Sequence, residues 1–127
     1  MGVEFHITRA DFWADSEHAA IPAETWLAYV QADPELTLEP EHGAHHARWI
    51  GASAYDGESW LDWRAGNIST KWPDTALYRK MLKIAFDLDA VVQDDNGTIY
   101  RLSTDWQFDP HERIAAPAVK RPWWRFW

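Results

Sequence analysis

Val3-Glu4-Phe5-His6-Ile7-Thr8 alternates apolar and polar positions, the period of a half-buried strand. Pro22 then suits the first turn of a helix running to about Ala32, with Glu24 favourably placed near its N-terminus. Trp26, Leu27 and Val30 form that helix's apolar stripe, and Pro34 lies just past its end. Leu36-Thr37-Leu38 reads as a short strand and residues 39–43 as a polar loop. Strands are predicted over 48–52, 60–63 and 67–71, with turn chemistry at Asp56-Gly57 and Ala65-Gly66-Asn67. Trp72-Pro73-Asp74 ends the run, and Asp74 is a good N-cap for the strongest helix, about 75–87. Leu77, Met81, Ile84, Ala85 and Leu88 share one face of it, whereas Arg79, Lys80 and Lys83 fall elsewhere. Strands over 90–93 and 98–102 flank Asp94-Asp95-Asn96-Gly97, the clearest hairpin signal in the chain.

The order β-α-β-β-β-β-α-β-β predicts an α+β fold, two helices packed on a mostly antiparallel sheet. At 127 residues the length fits one domain, placed at 1–109, and Pro110, Pro117 and Pro122 punctuate an extended tail over 110–127. No cysteine is present, which excludes disulfides and thiolate metal sites. The first residues lack a basic stretch followed by an apolar run, and no apolar stretch approaches the roughly 20 residues of a membrane span. A cytoplasmic protein is therefore expected.

Charge divides the chain. Residues 1–109 hold eight Lys/Arg against nineteen Asp/Glu, whereas 110–127 hold four against one, within a formal net charge of −8. An acidic body repels nucleic acid and steers encounter with a basic protein. The tail interleaves Lys120, Arg121 and Arg125 with Trp123, Trp124, Phe126 and Trp127. Arg121, Trp123, Trp124, Arg125 and Trp127 are its candidate contacts, either with a partner or the body itself, or with a membrane surface, where indoles and cations settle at headgroup depth.

Candidate chemistry is sparse. His42, His45 and His46 lie in a short tract, but the spacing supplies no convincing fourth ligand, and Glu41 and His42 are not expected to turn toward one ion. Aligning Gly97 with the glycine of a calcium loop puts Val92 and Ser103 at ligand positions, so that segment reads as a turn. No metal and no cofactor are expected. Asp62, between Trp60 and Trp63, is the best acid/base candidate, yet in an alternating strand it faces solvent while Leu61 and Trp63 face in. The serines, Ser69 among them, sit in no recognisable nucleophile motif, so the chain reads as a non-enzyme. Trp26, Trp49 and Trp63 read as core, and Trp13, Trp60, Trp72 and Trp106 as residues of a groove or interface.

Several stretches carry a resemblance: Phe5-His6-Ile7-Thr8-Arg9, Glu24-Thr25-Trp26-Leu27-Ala28-Tyr29-Val30, Asp33-Pro34-Glu35-Leu36, Trp60-Leu61-Asp62-Trp63, Gly66-Asn67-Ile68, Pro73-Asp74 and Val92-Gln93-Asp94-Asp95-Asn96-Gly97. Across most of 5–102 the chain resembles a group of small bacterial proteins similar to the immunity proteins encoded beside secreted polymorphic toxins, such as type VI effectors. The tail lies outside the match. The resemblance implies an immunity or inhibitor protein that occludes the active site of a cognate toxin. Acidic side chains imitating an anionic substrate suit that task, and Glu39, Glu41, Asp56, Glu58 and Asp62 are the candidate contacts. The alternative is a non-catalytic adaptor whose tryptophan-rich tail docks a membrane or a partner.

Overall fold

The computed structural model describes residues 3–51 and 59–109. Seven strands are present, β1 (Glu4–Thr8), β2 (Leu36–Leu38), β3 (His46–Trp49), β4 (Trp60–Arg64), β5 (Asn67–Lys71), β6 (Val91–Asp94) and β7 (Ile99–Tyr100). They form one sheet in the order β2-β3-β4-β5-β1-β6-β7, with each neighbouring pair antiparallel. Two α-helices, α1 (Ala23–Ala32) and α2 (Thr75–Asp87), complete the predicted α+β architecture. The N-terminal strand therefore lies inside the sheet, between β5 and β6, and α2 links those two across it.

One sheet face is apolar. Phe5, Ile7, Leu61, Ile68 and Val92 are fully buried there against Trp26 and Val30 of α1 and Leu77, Met81 and Ile84 of α2. Burying each such aliphatic side chain stabilises by about 1.5–3 kcal/mol, so this face supplies most of the driving force. The Asp74 carboxylate accepts the Leu77 N–H at 2.7 Å, the cap its position predicted, a contact whose loss typically destabilises by about 1 kcal/mol. The Asp94–Gly97 turn closes with Gly97 N–H donating to the Asp94 carbonyl at 3.0 Å and Gly97 at φ 83°.

The structure departs from the sequence reading in three places. Strand β3 begins at His46, two residues before the expected start at 48, because Ala47 and Trp49 alternate into the core. Two 3-10 segments, Trp13–His18 and Pro40–His42, had no periodic signal. The last strand is two residues long, yet the chain beyond it stays packed, with the Trp106 ring 4.7 Å from Phe5. Lys80, off the apolar stripe of α2 as predicted, is nonetheless shielded: its side chain is 8% exposed and its ammonium contacts Asp33 at 2.7 Å and Glu35 at 3.0 Å. Position 52, the Asp56-Gly57 turn and the whole tail lie outside the described residues. Among the described residues, no helix is long and apolar enough to cross a membrane.

Candidate functional site

The sheet's other face carries the chemistry. Strand alternation that sends Phe5 and Ile7 to the core sends Glu4, His6 and Thr8 the opposite way. Register extends this across five strands: His46 pairs with Asp62, Asp62 with Ser69, Ser69 with His6, and His6 with Gln93. The result is a continuous polar row. Two aromatic rings lie over it, Trp13 stacked on His6 at 3.8 Å and Trp60 stacked on His46 at 5.4 Å.

Around His6 the groups are closely bonded. Its Nδ1 lies 2.8 Å from Ser69 Oγ and its Nε2 lies 3.1 Å from Asp95 Oδ1. A neutral ring satisfies both contacts by donating from Nε2 to the carboxylate and accepting the serine hydroxyl at Nδ1. The Glu4 N–H donates to Asp95 Oδ2 at 3.2 Å, and the Trp13 indole donates to the Asp95 carbonyl at 3.0 Å. The 3-10 segment Trp13–His18 is locked across the face by three further bonds. Trp13 N–H donates to Gln93, Asn67 Nδ2 donates to the Trp13 carbonyl, and Ser16 donates to the Ala65 carbonyl. A shallow pocket of about 160 Å³ remains, lined by Glu4, His6, Trp13, Arg64, Asn67 and Ser69 among others. That is smaller than the roughly 300–1,000 Å³ of sites that enclose a small ligand.

The second centre lies on β3 and β4. Glu39 is 3.3 Å from Arg48 Nε and 3.5 Å from His46 Nδ1, the latter without hydrogen-bond geometry. Asp62 is not turned wholly to solvent; its side chain is 23% exposed and lies 3.8 Å from Arg64. The structure thus places Glu39 and Asp62 together beside His46, each with an arginine neighbour. Glu41 joins the group through the Pro40–His42 turn. Contrary to expectation, that turn does let Glu41 and His42 face one point, since Glu39, Glu41 and His42 offer ligand atoms within 4.8 Å of one another. Asp56 and Glu58, and the tail candidates Arg121, Trp123, Trp124, Arg125 and Trp127, lie outside the described residues.

Of the tryptophans, Trp26 and Trp49 are core, while Trp63 is half-buried and donates to the Ile21 carbonyl at 2.7 Å. Trp72, Trp106 and Phe108 cluster away from the polar row, with the Trp72 and Phe108 rings 5.4 Å apart. A larger open groove of about 400 Å³ borders the helices, but its lining charges, Asp33, Glu35, Lys80, Lys83 and Asp87, are already paired.

Sequence reasoning missed His6, Ser69, Asn67 and Asp95. His6 and Ser69 were polar members of alternating strands, which read as solvated positions until the N-terminal strand is known to be internal, and Asn67 and Asp95 read as turn residues. Serine, histidine and aspartate in this order form the relay that activates a nucleophile in hydrolases. Here, however, the ring is roofed by Trp13, and the Asn67 amide is directed to the Trp13 carbonyl. Comparison of the chain with protein-family models, curated proteins and solved structures finds no match.

Proposed function

We propose that this chain is a cytoplasmic immunity or inhibitor protein that binds a cognate bacterial toxin and neutralises it by occluding the toxin's active site. The observation that carries the reading is the one-sidedness of the sheet. Both α-helices cover one face; the Trp13–His18 segment roofs the His6 end of the other, which leaves Glu39, His46 and Asp62 beside Trp60 as its partly exposed polar part. Acidic groups on that face are held in place before any partner arrives: Glu39 by Arg48, Asp62 beside Arg64, and Asp95 by the Glu4 N–H. Side chains already fixed lose little entropy on binding, which favours tight capture. The negative field speeds encounter with a basic partner. The resemblance to immunity proteins agrees with this geometry, and the protein works by contact, transforming no substrate.

Survival is the test. If the neighbouring gene's product is that toxin, cells expressing it are expected to grow when the chain is co-expressed and to die without it. Loss of protection on Asp62→Lys, with the fold intact by circular dichroism, locates the contact on the polar face. Protection that survives charge reversal at Glu39, Glu41 and Asp62 together excludes that face. Removal of residues 118–127 is expected to leave protection unchanged; if it abolishes protection, the tail-docking alternative replaces this one.

A further inference from the structure

A separate property of the polar face does not depend on toxin binding. Glu4 and His6 are two residues apart on β1, so the strand's period places both on the same face. Asp95 follows β6, the strand paired to β1, and arrives beside them. One ligand atom from each of Glu4, His6 and Asp95 lies within 4.8 Å of the other two. An imidazole nitrogen with two carboxylates is a donor set suited to divalent metals such as zinc.

The surroundings hold these donors in the manner of a metal's supporting shell. Ser69 Oγ sits 2.8 Å from His6 Nδ1, the position from which a partner fixes the tautomer of a metal-bound histidine. Asp95 is oriented through its second oxygen by the Glu4 N–H and through its carbonyl by Trp13. The pocket that Glu4 and His6 line has a further buried polar residue in its wall. Asn67 is 5% exposed and lines the same pocket, and its Oδ1 is buried without a hydrogen-bond partner. Its Nδ2 is committed to the Trp13 carbonyl at 2.8 Å, so the orphan oxygen has a fixed position. Buried acceptors are rarely left unpaired, and a water in that pocket is a fitting donor.

We propose that Glu4, His6 and Asp95 bind a divalent transition-metal ion, with the remaining coordination position open to water in the pocket. On binding, the ion takes the place of the proton on His6 Nε2. The ring keeps one proton, moved to Nδ1 and donated to Ser69, whose hydroxyl accepts as readily as it donates. Closure requires only small movements of Glu4 and Asp95, whose side chains are 36% and 44% exposed. Lys71, 3.8 Å from Glu4 Oε2, is the competing cation and is displaced outward. The cluster of Glu39, Glu41 and His42 is the rival location, but two of its members are exposed and Glu39 is engaged by Arg48.

The experiment uses the full chain, stripped with a chelator and titrated with zinc chloride by calorimetry, with cobalt(II) absorption as a second readout. One equivalent is expected to bind. Glu4→Gln and Asp95→Asn, at exposed carboxylates that leave the fold intact, are each expected to weaken binding at least about tenfold, and Ser69→Ala to weaken it about tenfold through the histidine. His6→Asn is expected to abolish it. Three results overturn the proposal. They are a folded chain that binds neither ion, stoichiometric binding unchanged in Glu4→Gln and Asp95→Asn, and binding lost in His42→Ala instead.

Discussion

Replacing Lys80 by methionine keeps the apolar stem and removes the charge that ties α2 to the segment between α1 and β2. The ammonium donates to Asp33 at 2.7 Å and Glu35 at 3.0 Å, with the lysine side chain 8% exposed. A charge-assisted hydrogen bond contributes about 1.5–3 kcal/mol when shielded. Glu35 is 51% exposed, so its share is small after solvent screening, and the Asp33 contact dominates. The expected loss is about 2–3 kcal/mol at neutral pH. At about 3–5 °C per kcal/mol for a chain of this size, Tm falls by roughly 6–15 °C.

The same pair fixes the pH dependence. Burial alone raises the Asp33 carboxyl, but the Lys80 hydrogen bond and the Glu35 N–H outweigh it and hold Asp33 below its usual 3.8. The Trp49 indole and then Lys80 hold Glu35 below its usual 4.5. Burial lowers Lys80, but its bonds to Asp33 and Glu35 prevail and raise it above 10.5. The depressed carboxylates stabilise the fold fully above their ordinary values, and that contribution disappears as pH falls through the lowered folded ones. The raised ammonium contributes fully below 10.5 and is lost as pH rises through its folded value. Urea unfolding of both proteins should therefore show a constant gap at neutral pH that narrows below about pH 4. A gap under about 0.5 kcal/mol at neutral pH, or one that persists undiminished in acid, refutes the reasoning.

Gly66→Ala should destabilise by about 1–3 kcal/mol in thermal unfolding, because a Cβ there meets the Ala20 Cβ at 2.6 Å and the glycine sits at φ 87°; an unchanged Tm shows that the neighbouring backbone yields freely. Asp74→Ala should lower stability by about 1–2 kcal/mol through loss of the α2 cap, read from urea midpoints, and a neutral result removes the cap from the account. Ser69 is expected to remain unlabelled by a fluorophosphonate probe under conditions that label a serine hydrolase; stoichiometric labelling lost in Ser69→Ala makes the His6 relay catalytic.

Helix α2 was legible because its cap and its apolar face agree: Asp74, Leu77, Met81, Ile84 and Ala85 each do what period and capping dictate. The seven strands were legible for the same local reason, since alternation and turn residues coincide at Ala65-Gly66 and Asp94–Gly97. Strand order was not, because the placement of β1 between β5 and β6 is a long-range choice that no local pattern records. That choice decides the candidate site. At an edge, His6 would be solvated; inside the sheet it is 2% exposed and must find Ser69 and Asp95. The Lys80 pairing was hidden for the same reason, as its acidic partners Asp33 and Glu35 lie far back along the chain. Glu39 and Asp62 were chosen from charge and position; Arg48 comes beside Glu39 only through the β2–β3 pairing, whereas Arg64 lies two residues along β4 from Asp62.

Titration of the purified chain with the product of the neighbouring gene, the toxin partner proposed above, is the most direct test of that proposal. A saturable complex is predicted, weakened severely by Asp62→Lys and by Trp60→Ala and little changed by removal of residues 118–127. Absence of any complex with a folded toxin, or a complex indifferent to both substitutions, contradicts the account.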